Sequence, residues 1–469
     1  IVATGGNTAV VTLTGAVGTV DAMHITGRLD TGAAITSAES LTVTGVTNLT
    51  GNVTTTGTVG QVYTGVVTNL AASARTLTAT AGDVNIGTGG YAGNTQGLNI
   101  AGDLDLDGAI GATAVFDVSG DANLGANITT VGAGTITIDG ATTLSADTTL
   151  TTTGDAVTLT GAVSGDFDLI VATGGNTAVV TLTGAVGGST NVDNIDITGA
   201  LVSSAAVNAE SLTVTGTSSL NGNVTTTGTV GQVYGGIVTL ANNITLTTSN
   251  DLVTFSSTVT GAKGLTVAAG SGALTFSGAI GTTALTSLTT TSGTFSATAI
   301  KVAGAISITN TSAGTVTGVI SDGGTAASLT KAGAANLTLS GVNTYTGNTT
   351  ITAGTLTIGG SGLLSSATAG TYAGTIANAG KLAVGTTADQ TLSGVISGAG
   401  GLTKTAAGTL TLTANNTFTG DLNVSAGTVS LTGSGQLVGA IDVGATATLT
   451  LSDDFKDGDS ISESTNDGV

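Results

Sequence analysis

The eighteen residues IVATGGNTAVVTLTGAVG open the chain at Ile1 and return unchanged at Ile170. The duplication runs on past them. ESLTVTG stands at Glu39 and again at Glu210, and GNVTTTGTVGQVY runs from Gly51 to Tyr63 and again from Gly222 to Tyr234. Between these strings the offset drifts slightly, with GST following Gly187, as expected where small loops absorb the difference. A block over 1–63 therefore recurs over 170–234. A fold that accepts one block at two places in a chain is a stack of repeating units, each buried against neighbours like itself.

A shorter unit runs inside the block. VVTLTG, SLTVTG, GTLTIG and GTVSLTG alternate apolar residues with Thr or Ser and end at Gly. Alternation with period two puts successive side chains on opposite faces of a strand, and β-branched Val, Ile and Thr suit that geometry. Leu41 and Val43 should face inward, with Thr42 and Thr44 outward. Frequent Gly supplies turns that accept positive φ, and no stretch sustains a helical apolar period. Two all-β arrangements compete for such strands. Serial sandwiches use aromatic core anchors and Pro-containing turns, but aromatics are 3% of this chain and Pro is absent. A parallel β-solenoid, or β-helix, fits better, because ladders of Val, Ile, Leu and Ala fill its slender core coil upon coil. With coils of roughly 20 residues stacked about 4.8 Å apart, the expected shape is an elongated rod with essentially no helix.

Composition narrows the function. Twenty-eight acidic residues against 8 basic ones give a formal charge of −20, which repels nucleic acid and anionic lipid. The absence of Cys removes disulfides and thiolate metal sites. Apolar stretches are broken every few residues by Thr or Gly, so no segment reads as a membrane span. No secretion signal is visible at the first residues, and one would lie upstream of them.

From Ser328 the sequence reads SLTKAGAANLTLSGVNTYTGNTTITAGTLTIGGSG, and from Gly401 GLTKTAAGTLTLTANNTFTGDLNVSAGTVSLTGSG. These align without gaps from Lys331 and Lys404, matching Leu337 with Leu410, Asn343 with Asn416, Tyr345 with Phe418 and Gly354 with Gly427. The pair resembles the autotransporter-associated β-strand repeat of large bacterial passenger domains. That resemblance implies a right-handed parallel β-helix exported to the surface of a Gram-negative cell, often for adhesion or aggregation. Members of the family commonly end in a membrane β-barrel, whereas this chain ends LSDDFKDGDSISESTNDGV, too short and acidic for one. The expected organisation is a solenoid over 1–317 with the duplicated block, further coils with these repeats over 318–452, and an acidic terminal segment over 453–469.

Few residues suit chemistry. His24 is the single histidine, and Asp196 takes its place in the second copy, so it reads as an outward strand residue and leaves no parts for a triad. DLDLDG sets Asp103, Asp105, Asp107 and Gly108 in the pattern of the first half of an EF-hand loop, whose oxygen ligands suit Ca²⁺. Its twelfth position is Ala114 rather than Glu, and Leu alternating with Asp is also what a strand with an exposed face shows. Asp453, Asp454, Asp457 and Asp459 form a second Ca²⁺ candidate; no other cofactor is expected. The eight basic residues are scattered, unlike the clustered carboxylates and Arg or Lys of β-helical carbohydrate enzymes. The expectation is a non-enzymatic secreted or surface β-helical protein acting in adhesion, aggregation or matrix contact. The alternative is a self-assembling structural subunit of an extracellular filament or surface layer. Its expected partners are a host or neighbouring-cell surface, or other copies of itself joined end to end or laterally.

Overall fold

Strands whose alternation buries every second side chain need a second layer of the same kind, and here each strand finds it one coil away. The computed structural model describes residues 9–93, 95–188, 190–365, 370–432 and 439–451. Among them there is no helix, and the strand pairings are parallel. The chain forms two compact units, Ile1–Gly236 and Ile237–Val469, each built as a parallel β-solenoid.

In the first unit a coil consists of three short strands joined by bends. Tyr91–Ala92, Leu98–Ala101 and Leu104–Leu106 make one coil, and Ile110–Thr113, Phe116–Val118 and Ala122–Leu124 the next. Tyr91 pairs with Ile110, Leu98 with Phe116 and Leu104 with Ala122. The unit thus has three faces. The triplets LDL, FDV and ANL each read buried, half-buried, buried. Leu98, Phe116, Ile136, Val157, Val180 and Leu201 therefore stack as one buried column. Such columns are the core, and truncating one of their leucines to Ala costs about 2–5 kcal/mol. The expected inward Leu41 and Val43 are fully buried, with Thr42 half-buried and Thr44 exposed.

The corners explain the glycine. At one of them a Cβ on Gly140 would lie 2.3 Å from the Gly120 oxygen, one on Gly161 2.2 Å from the Gly140 oxygen, and one on Gly184 2.3 Å from the Gly161 oxygen. The Gly140 N–H donates to that same Gly120 oxygen at 3.0 Å. Backbone meets backbone there, and no side chain fits.

The paired columns also place the duplication. Val11, Leu29, Thr47, Val67, Tyr91, Ile110, Ile128, Leu150 and Val171 succeed one another on one face, eight coil steps in all. Val180, the counterpart of Val11 in the second copy, lies on the following face, paired with Val157 and Leu201. The same shift holds later in the block. Gln61 pairs with Val84, whose column continues through Leu104, Ala122 and Thr142. Its counterpart Gln232 pairs with Leu212, in the column of Ile195 and Leu169 on the face of Val171. The second copy is displaced by eight coils and one face, so the two copies show the same sequence in different directions.

In the second unit Leu265, Leu288, Ile306 and Leu329 form an equivalent column. Three phenylalanines pack inside it: Phe255 stacks on Phe276 with centroids 4.6 Å apart and planes 3° from parallel, and Phe295 lies 6.2 Å from Phe276. No helix among the described residues is long and apolar enough to cross a membrane.

Because the corner glycines are dictated by contact with the coil before, Gly140→Val should lower stability by about 1–3 kcal/mol through overpacking. Gly175 has nothing within 4 Å of an added Cβ, and Gly175→Ala should stay within about 0.5 kcal/mol. Urea unfolding followed by far-ultraviolet circular dichroism reads both; equal effects at the two sites would contradict the stacked corner.

Candidate functional site

The outward half of the alternation is where a partner can reach this protein. In the strand Leu104–Leu106 the two leucines are buried and Asp105 points outward. Its neighbours one coil away are Asn85 and Asn123, and Thr143 follows Asn123. The Asp105 carboxylate lies between two amides: Asn85 Nδ2 donates to it at 2.6 Å and Asn123 Nδ2 at 2.8 Å. At the bend before this strand, Asp103 Oδ1 accepts the Asp121 N–H at 2.8 Å, and Asp121 Oδ1 accepts the Ala141 N–H at 2.7 Å. Each aspartate caps an amide of the following coil. Asp83, Asp103, Asp105, Asp121, Asn123 and Thr143 line an open cleft of about 380 Å³.

The same cap recurs along both units. Asn127 Oδ1 takes the Thr149 N–H at 2.8 Å, Asn243 Oδ1 the Gly264 N–H at 2.8 Å and Asp389 Oδ1 the Thr409 N–H at 2.8 Å. Stacking carboxylates coil after coil would be repulsive without such dipoles, since no Lys or Arg stands between Arg75 and Lys263. Two aspartates show the strain. Burial, then the nearby Asp139, push the Asp117 carboxyl above its ordinary range. Burial does the same to Asp193, followed by Asp166, Glu210 and Asp168. The surface offers rows of hydrogen-bond acceptors interleaved with amides and hydroxyls, suited to donors such as ammonium, guanidinium or hydroxyl groups.

The sequence-predicted residues take simple positions. Asp103 and Asp107 flank the strand that carries Asp105, in extended chain rather than a loop curled around one point. Among the described residues no group of three or more His, Asp or Glu comes together to hold a metal ion. Asp453, Asp454, Asp457 and Asp459 lie outside the described residues. His24 and its counterpart Asp196 are both exposed on strands, Val20–Ile25 and Val192–Thr198.

What sequence reasoning missed is inside. Lys331 and Lys404, counted there as scattered basic residues, are fully buried. The Lys331 ammonium donates to the carbonyls of Ala332 at 2.7 Å, Gly333 at 2.8 Å and Ala353 at 3.4 Å. That of Lys404 reaches the carbonyls of Ala406 and Thr386. Burial pulls Lys331 down to about 8 from 10.5, and lowers Lys404 against the opposing influence of Asp389. The signal was available, because Lys331 shares the parity of inward Leu329 and Lys404 that of Leu402.

The other matched positions of these two segments are internal fasteners too. Asn343 Oδ1 accepts the Ile320 N–H at 3.0 Å while its Nδ2 donates to Gly341 and Leu363 carbonyls at 2.8 and 3.1 Å. Asn416 Oδ1 accepts the Ile396 N–H at 2.8 Å. Gly354 and Gly427 have φ of 66° and 76°, open to glycine at little cost. Tyr345 and Thr349 hydroxyls meet at 2.7 Å, and Thr349 and Tyr372 at 2.8 Å. In the first unit the duplicated GQVY string does likewise: Tyr63 OH donates to Gln61 Oε1 at 2.8 Å, and Tyr234 OH to Gln232 Oε1 at 3.0 Å.

A coil-stacked solenoid whose repeats carry buried Lys and Asn fasteners is the structural class. Within it, a family model described as passenger-associated-transport-repeat matches residues 329–358 and 402–431, the two segments that hold Lys331 and Lys404. Together the repeats and the solenoid fit an autotransporter passenger-type β-helical repeat protein. No curated protein and no solved structure matches the chain.

The lowered Lys331 yields a signed pH effect. Between about 8, where the folded lysine gives up its proton, and 10.5, the ordinary value, the unfolded chain holds more protons, so this group makes stability rise with pH. The buried tyrosines act oppositely above 10, since Tyr91 and Tyr372 are raised to about 12 by burial. Comparison with Lys331→Met cancels them. The stability of the native protein relative to the variant should climb across that window in urea titrations; a constant difference would show that the ammonium is not desolvated.

Proposed function

We propose that this passenger-type solenoid works outside the cell as a display surface for adhesion or aggregation, through its outward rows rather than through catalysis. The observation that carries the reading is the division of labour along each strand. Side chains able to do acid–base or nucleophilic chemistry are turned inward in the cases of Lys331, Lys404 and the five tyrosines. Outward positions such as Asn85, Asp105, Asn123 and Thr143 form a polar row running from coil to coil. Such a surface binds by many weak contacts along its length, which gain by avidity when many copies face many partners. Its negative charge favours basic partners.

The test displays the chain behind an outer-membrane translocator in a non-aggregating Gram-negative host. Cells carrying it should settle faster and attach better to coated surfaces than cells carrying the translocator alone. Replacing Asp105, Asn123 and Thr143 together by Ala should weaken attachment severalfold while leaving surface density unchanged. Full display without settling or attachment would overturn the proposal, and ordered polymers from purified chain would make it a structural subunit instead.

A further inference from the structure

One coil corner at which the two copies of the duplicated block differ carries reactive chemistry. Of all asparagines in the chain, Asn221 alone precedes a glycine. The matching dipeptide of the first copy is Thr50–Gly51, likewise preceded by Leu and followed by the same NVTTTG string. Neither glycine is free to change. A Cβ on Gly222 would lie 2.1 Å from the Ala205 oxygen, and one on Gly51 2.3 Å from the Ala33 oxygen. The packing of one coil on the next therefore fixes glycine at this corner, and the identity of the residue before it decides what can happen there.

Asn221 is exposed and lies in the bend between the strands Ser218–Leu220 and Val224–Tyr234. Its backbone N–H is held by the Ser203 carbonyl at 3.0 Å, but its side-chain amide is tethered only by a contact of 3.4 Å to the Ser204 carbonyl, at the long limit for a hydrogen bond. Among the described residues the Gly222 N–H has no acceptor. A glycine nitrogen is also the least shielded of any residue's, since no Cβ stands beside it. An accessible amide carbon, a loosely held leaving group and an unengaged backbone nitrogen one residue on are the three requirements of cyclic imide formation.

We infer that Asn221 is a self-modification site, converting through a succinimide to aspartate and isoaspartate with water as the only co-reactant. Hydroxide removes the Gly222 amide proton, and that nitrogen attacks Cγ of Asn221. The new C–N bond forms as the bond from Cγ to the side-chain NH₂ breaks, and the nitrogen leaves as ammonia. Water then opens either carbonyl of the ring, and no electrons are gained or lost. Opening at one carbonyl restores an ordinary peptide link with an aspartate side chain. Opening at the other routes the chain through the side chain and inserts a methylene at a corner with no room to spare. The aspartate product places a carboxylate beside the Ser204 carbonyl, the isoaspartate product one at the former backbone carbonyl, and both add negative charge in a region already without basic residues. This inference stands whether or not the protein is an adhesin.

The purified folded chain, held at 37 °C in mildly alkaline buffer, should shift by one negative charge on native isoelectric focusing and release ammonia. Peptide mapping should place aspartate and isoaspartate at 221, with a rate that rises with pH. Asn221→Thr, the residue the first copy already uses, should abolish the shift while leaving the circular dichroism spectrum unchanged. If the folded chain keeps its charge while the urea-unfolded chain loses ammonia at Asn221, the corner holds the side chain away from the Gly222 nitrogen and the inference fails. It fails equally if ammonia comes from other asparagines and Asn221→Thr changes nothing.

Discussion

Hydrogen bonding between the backbones of consecutive coils fixes their separation at about 4.8 Å, and nearly every other feature of this protein follows from that spacing. At this distance each side chain sits directly on its counterpart one coil away, so like stacks on like. Apolar residues gain most from the arrangement, as in the column from Leu98 to Leu201. Charged residues gain least, which accounts for a chain with only 8% Asp, Glu, Lys and Arg. Where the path turns, the backbones themselves come into contact and only Gly fits, as at Gly140 and Gly161. The composition is thus a consequence of the stacking, and aspartates such as Asp103, Asp121 and Asp389 are accommodated by amides of the next coil.

The polar residues of the interior answer a different need. Bends leave carbonyl and amide groups without strand partners, and buried groups of that kind cost free energy if left unpaired. Lys331 and Lys404 satisfy clusters of carbonyls, while Asn343, Asn416 and Gln390 bridge bends of neighbouring coils. A buried ammonium without a carboxylate partner adds little stability. It does specify position, since a slip by one residue would turn it outward and leave the carbonyls bare.

Much of this was legible in the sequence, for reasons that can be named. Period two gave the inward Leu41 and Val43 because alternation is a direct image of the strand pleat. The match of Lys331, Asn343 and Gly354 with Lys404, Asn416 and Gly427 pointed to the passenger repeat that the family model also finds. Counting Lys331 and Lys404 only among the scattered basic residues leaves their role unread, although their parity with Leu329 and Leu402 carries it. The spacing of Asp103, Asp105 and Asp107 fits both an EF-hand loop and a strand with an exposed face, and here Asp105 lies on the strand Leu104–Leu106 with Asp103 and Asp107 flanking it. The displacement of the duplicated block by one face had no local signal at all, since it depends on how many residues each intervening coil uses. Bends, unlike strands, leave no period to count.

The stacking of one coil on the next can be tested in a chain that contains no Cys. Thr137 pairs with Thr158, and Thr158 with Thr181, all three half-buried on one face. Cα atoms about 4.8 Å apart lie within the range a disulfide spans, whereas two coils exceed it. Under mild oxidation the Thr137→Cys/Thr158→Cys protein should form an intramolecular disulfide nearly completely, and the Thr137→Cys/Thr181→Cys protein should remain as free thiols. Crosslinking of the second pair and not the first would contradict the coil-on-coil solenoid.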